Sequence, residues 1–329
     1  MDLRWLATGW LSILAGLCTM TSSAQSFDLE QFDQLFRPRL RMDARWTPQL
    51  AFEDTDARYE ERSATGVFTF PVYKRWSAGI DLHAKGEGVG ELLKNAVRIR
   101  ASQVMGNARF GTRQLLLDDG TRNLHSMSLG ALGISLTKKY RVLFWSVNAN
   151  VSEEKDTFGQ AVPRFNGVIG KLHVKGVRKQ FFYGLTVAVS DGLNIPLPFL
   201  GGTAPMGDRW SFQYVLPLQL ALGYKASSDL RFQFGLGGDG YRSGFAQGDE
   251  RVNINYTALR VFANVRHRLT PHLQLRAEVS GLAVHSLRLP NAEDELERFA
   301  ISPGVQVMAG VNVFFGGSTL ERLMDDVLK

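Results

Sequence analysis

Trp210-Ser211-Phe212-Gln213-Tyr214-Val215-Leu216-Pro217-Leu218-Gln219-Leu220-Ala221-Leu222-Gly223-Tyr224 alternates with a period of two. Trp210, Phe212, Tyr214, Leu216, Leu218, Leu220, Leu222 and Tyr224 share one parity, and Ser211, Gln213, Gln219 and Gly223 the other. Successive side chains of a strand point to opposite faces, so one face of this segment meets an apolar medium and the other a polar one. It reads as a single strand over 210–224, with a bulge or local distortion at Pro217, whose missing N–H breaks a ladder.

The same alternation recurs outward from this stretch. Leu40, Met42, Ala44 and Trp46 alternate with Arg39, Arg41, Asp43 and Arg45, and further cases follow at 76–82, 143–151, 168–174, 181–189, 230–236, 259–265, 273–279 and 305–315. No apolar run beyond residue 24 is long enough for a membrane helix, so a chain that spans a membrane must do so as strands in a closed barrel. The predicted fold is all-β: a closed antiparallel transmembrane barrel of about twelve strands over 39–315. Residues 91–104 are either a short helix or part of an extra strand pair, which would make fourteen. The predicted links alternate between short basic turns, such as Lys74-Arg75 and Lys138-Lys139-Tyr140, and long loops at 51–63, 86–125, 152–164, 191–209, 238–251 and 285–301. Short periplasmic turns and long extracellular loops are the barrel habit. An aromatic girdle is expected near the turns (Tyr73, Trp76, Tyr140, Phe181, Tyr183, Tyr224, Phe314, Phe315), and a sparser one at the outer rim (Trp46, Phe165, Trp210, Phe299).

At the N-terminus Arg4 precedes an apolar run from Trp5 to Met20, and Ser22 and Ala24 suit a small-residue cleavage site. Residues 1–24 are therefore read as a signal peptide and 25–38 as a periplasmic segment. The tail 316–329, with Leu320, Leu323, Met324, Val327 and Leu328 at helical spacing, reads as a periplasmic helix able to cap or plug the barrel mouth. Cys18 is the only cysteine and leaves with the leader, which excludes disulfides and cysteine metal sites from the mature chain. The net charge of +6 survives removal of Asp2 and Arg4 and favours anionic neighbours weakly. Nucleic-acid binding does not fit an exported chain.

Through the leader, the alternating strands and the last strand Val305-Gln306-Val307-Met308-Ala309-Gly310-Val311-Asn312-Val313-Phe314-Phe315, the chain resembles Gram-negative outer-membrane β-barrel proteins. Two stretches are similar to an uncharacterised family of such barrels: Asn123 to Gly130 leading to the Lys138-Lys139-Tyr140 turn, and Leu197-Pro198-Phe199-Leu200-Gly201-Gly202 leading through Trp210 to Pro217. The resemblance implies residence in the bacterial outer membrane, contact with its lipid and lipopolysaccharide, and insertion by the barrel-assembly machinery. It implies no catalytic or cofactor residue.

Enzymatic chemistry finds little support. His125-Ser126 and His285-Ser286 are adjacent and so lie on opposite faces of any strand, where a nucleophile and its base need one face. Asp81-Leu82-His83 places Asp81 and His83 on one face, the arrangement a rim hydrolase or protease would use, but they fall within the barrel wall, and paired lumen charges are the better explanation. No dense His or carboxylate cluster suggests a metal, and no cofactor is expected. Turning each polar face inward puts Arg39, Arg41, Arg45, Lys85, Lys171, Lys175, Arg231, Arg260, Arg266 and Arg276 in or at the mouths of the lumen, opposed by Asp43, Asp81 and Glu278. Arg41, Lys171, Lys175, Arg231, Arg260 and Arg276 are the candidate selectivity residues. The expected function is a narrow channel or solute-facing transport barrel with a weak preference for a small anionic solute. The alternatives are a rim enzyme and a structural barrel with a filled lumen.

Overall fold

The computed structural model describes residues 37–53, 56–80, 97–117, 120–136, 142–154, 163–176, 179–190, 193–247, 250–290 and 296–316. Among them the regular elements are strands. The first five are β1 (Arg39–Ala51), β2 (Arg58–Ile80), β3 (Val97–Leu117), β4 (Gly120–Leu136) and β5 (Val142–Glu154). β6 (Arg164–Gly176), β7 (Lys179–Ser190), β8 (Leu193–Met206), β9 (Trp210–Leu216) and β10 (Gln219–Lys225) follow. The last are β11 (Leu230–Gln247), β12 (Glu250–Thr270), β13 (Leu273–Pro290), β14 (Leu296–Ile301) and β15 (Gly304–Phe314).

Neighbours in sequence pair antiparallel from β1 to β13, and β15 pairs with both β13 and β1, so the sheet has no outer edges. β14 and β15 run end to end along β13, where His285 faces Ile301 and Leu282 faces Gly304. The wall therefore has fourteen staves, the higher of the two counts open from sequence. Both ends of the described barrel, Arg39 and Phe314, face each other at one rim, here called the terminal end.

Four differences from the sequence reading produce that count. Lys74 and Arg75 are no turn; they pair with Gln103 and Ser102 inside the continuous β2–β3 ladder. The stretches 86–125 and 191–209 hold β3 and β8, and 238–251 is mostly β11 and β12. Pro196 and Pro198 disguise β8 because proline belongs at sheet edges. Here there is an edge, since β9 pairs with β8 only from Leu200 onward. Finally, 210–224 is a hairpin: Val215 faces Gln219, and the Leu218 N–H donates to the Val215 carbonyl at 2.6 Å around the Pro217-Leu218 turn. Trp210 consequently lies beside Tyr224 at the terminal end, ring centroids 4.7 Å apart, and not at the outer rim.

Large apolar side chains cover the outside. Phe110 is 55% exposed, Val147 53%, Ile169 54% and Val279 54%, and equivalents stand on every side of the ring. A water-facing surface of this extent would aggregate, whereas a bilayer solvates it. The aromatic girdle is present in Tyr73, Phe181, Tyr183 and Phe315 on the outer surface, while Phe314, at the opposite parity, is buried inside.

Candidate functional site: the lumen

Inward-facing positions divide the lumen into two unlike halves. On the side of β1–β3 and β11–β15 they are polar. Here a cavity of about 150 Å³ is lined by Arg41, Arg45, Arg109, Arg113, Arg260 and Arg276, by the carboxylates Asp43, Asp239 and Glu278, and by the apolar Val67, Val215, Leu218 and Met308. Asp43 accepts from Arg41 at 2.5 Å and from Arg276 at 3.2 Å. Asp239 accepts from Arg45 at 2.8 Å, and Glu278 pairs with Arg260. Arg113 sits 3.3 Å from Glu61 and lays its guanidinium 3.4 Å from the centre of the Tyr241 ring. Such pairing and stacking are what buried guanidinium groups require. Toward the terminal end the face stays polar through amide bonds: Gln233 accepts from Asn264 at 2.9 Å and donates to Gln213 at 3.0 Å, and Gln274 accepts from Asn312 at 2.9 Å.

The β3–β9 side is apolar. Met105, Ile134, Phe144, Leu172, Phe182 and Val215 form one buried cluster, with Leu132, Val142, Val168, Phe199 and Leu218 packed against it. Phe144, Phe182 and Phe199 meet one another with ring centroids 5.9–6.2 Å apart. A third group closes the end far from the termini. Tyr59, Leu115, Leu124, Tyr241, Ile254, Tyr256, Leu287 and Ile301 pack there, and Tyr256 stacks on Tyr241 and Tyr59. His285 belongs to this end and bonds the Ser302 carbonyl through Nε2 at 2.9 Å. Ser286 lies instead 3.3 Å from Thr257, so the two do not act as base and nucleophile.

Of the six candidate selectivity residues, Arg41, Arg260 and Arg276 line the cavity. Arg231 is half-buried below it, on the same parity as inward-facing Gln233. Lys171 does not belong to the lumen. Leu172 and Gly170 occupy the inward positions against Phe182 and Phe144, and Lys171 is exposed on the outer surface, where it pairs with Tyr183. A lysine near a membrane boundary can face outward and extend its ammonium to the headgroups, so polarity alone does not assign a face. Phe165 and Ile169 share its parity and are the signal that assigns it. The side chain of Lys175, and Lys85, Asp81 and His83 altogether, lie outside what the structure describes, as do the segments expected to form the leader and a C-terminal helix. Arg109, Arg113, Glu61 and Asp239 fall in the stretches 86–125, 51–63 and 238–251, which read as loops in the sequence, so alternation gives no signal for them.

A closed antiparallel barrel with an apolar outer belt and a charged interior defines the class, which is that of outer-membrane β-barrels. No family model and no curated protein sequence matches the chain. Among solved structures it is similar to an outer membrane channel from Pseudomonas putida F1, at 10% identity over 85% of this chain and 96% of that one, with a TM-score of 0.39. It is also similar to the translocator domain of the autotransporter NalP from Neisseria meningitidis (9%, 94% and 97%, 0.34). A third is the toluene transporter TodX of P. putida (8%, 85% and 90%, 0.26).

Proposed function

We propose that this chain is exported by residues 1–24 to the bacterial outer membrane and acts there as a narrow transport barrel favouring small anions. Its terminal end faces the periplasm, and it carries out no reaction of its own. The observation that supports this reading is the cavity: six arginines against three carboxylates, all turned to one small space. Guanidinium groups stay charged, and their forked donors match carboxylate and phosphate oxygens. In a narrow lumen such fixed charge lowers the energy of an anion and raises that of a cation.

Reversal potentials across a planar bilayer in a potassium chloride gradient test it. The wild type should show anion preference, and Arg109→Glu, a swing of two charges inside the cavity, should move the potential toward cation preference. A cation-selective wild type, or a potential indifferent to that variant, would sink the reading. The far-end cluster of Tyr59, Tyr241 and Tyr256 favours the second reading, a structural barrel with a filled lumen. A folded barrel that never conducts would establish that one instead.

A further inference from the structure

Among the described residues the wall has a notch. β10 follows β11 only from Lys225 to Gln219, whose partners are Arg231 to Gly237, and one last bond runs from the Gly238 N–H to the Leu218 carbonyl at 3.0 Å. Beyond it β11 continues for nine residues without β10, and β8 continues from Phe199 to Leu193 without β9. Two missing strands leave a gap of about 10 Å in a regular sheet. The gap ends where β11 meets β5 at Gly244 and Glu153, beside the Ser152–Ser243 bond of 2.9 Å. Its floor lies in the apolar belt, between Leu216 (40% exposed) and Leu236 (48%). Above it the strands carry the half-buried polar side chains Arg242, Asn253 and Asn255. The notch thus straddles the boundary between acyl chains and headgroups.

Directly behind the notch the two halves of the lumen meet. Val215 and Leu218, at the tip of the β9–β10 hairpin, both line the arginine cavity and belong to the apolar cluster. We propose that this seam binds an amphipathic carboxylate, a single short apolar chain with one anionic head, entering through the notch from the outer leaflet. This deepens the anion reading and rests on it. The chain would lie against Val215 and Leu218, with its head turned to Arg41 and Arg109. The chemistry at each end decides the class: an uncharged hydrocarbon would make no charge-assisted hydrogen bond with the forked guanidinium donors, and a plain inorganic anion would leave the apolar wall unused. A cavity of about 150 Å³ is too small for a two-chain lipid.

Calorimetric titration of the full-length barrel in amphipol, with empty amphipol particles as reference, tests the proposal with octanoate, octanol and acetate. Octanoate should bind about tenfold or more tighter than octanol, the worth of a charge-assisted hydrogen bond, and roughly a hundredfold tighter than acetate, from its buried methylenes. Arg109→Gln and Leu218→Asn should each weaken octanoate about tenfold, and Arg109→Lys should recover part of the loss. Unboiled gel mobility shows that each variant is folded. Equal affinity for octanoate and acetate would overturn the amphipathic site while leaving the anion reading intact. Equal affinity for octanoate and octanol would overturn both, and octanoate binding that neither variant weakens would place the ligand elsewhere and overturn the proposal.

Discussion

Gly201 faces Phe182 across the β7–β8 ladder, and a Cβ built on it would overlap the phenylalanine ring. Gly170 relates to Phe144 in the same way. Glycine at these lumen positions makes the space in which the rings lie flat against the wall, which is why the apolar half can be dense without swelling the barrel. Gly201→Val should force the Phe182 ring off its site and cost about 1–3 kcal/mol, the usual penalty of overpacking. At Gly66 nothing lies within 4 Å of such a Cβ, so Gly66→Val should leave stability unchanged or slightly raised. Urea midpoints in vesicles compare the two, and equal losses would show that strand glycine as such, and not the ring, sets the cost. The inward arginines of β1, β12 and β13 were legible by parity because the neighbouring apolar residues on those strands are unambiguous. Lys171 was not, since charge is tolerated on both sides of the wall near a boundary.

The β9–β10 hairpin shows why an element can be misread while its faces are read correctly. Three residues, Leu216 to Leu218, separate the facing positions Val215 and Gln219, so these have the same parity and outward positions stay even-numbered on both strands. Phe212, Leu220 and Leu222 therefore point outward as alternation alone implies, and only the count and the ends go astray. Leu218 is the exception: at the turn it leaves the alternation and packs inward. Leu220→Arg should cost about 2–4 kcal/mol if it lies near the bilayer midplane, and less toward the interface. Leu218→Arg, beside water and carboxylates in the lumen, should cost clearly less in the same unfolding measurement. The reverse order would mean that the chain crosses the membrane here as one strand. β3 and β8 stayed hidden for different reasons. β3 carries Arg109 and Arg113 inward on either side of Gly111, which blurs a hydrophobic signal, and β8 carries prolines that only an interrupted neighbour permits.

Fourteen staves should enclose more than side chains can fill, since eight are just filled and sixteen leave a channel. The molecule resolves this by having two circumferences. At the terminal end all fourteen staves contribute, but at the far end β5 touches β11 directly, and Arg164 ties β6 to the Arg242 carbonyl and to Asn253, each at 2.9 Å. The far ring is then closed by β11–β13, β14 and β1–β5, nine staves, close to the number whose interior side chains fill. The stacked Tyr59, Tyr256 and Tyr241 are that filling. Constriction and selectivity should therefore reside in different places. Tyr256→Ala removes the middle ring of the stack and should raise single-channel conductance while the sign of ion preference stays the same. Arg109→Glu, in the cavity below, should change preference while conductance changes little. Single-channel recording of both variants separates the two roles. If Tyr256→Ala leaves conductance unchanged and Arg109→Glu raises it, the narrowest point is the arginine cavity itself, and the far-end tyrosines serve only to hold the ring closed.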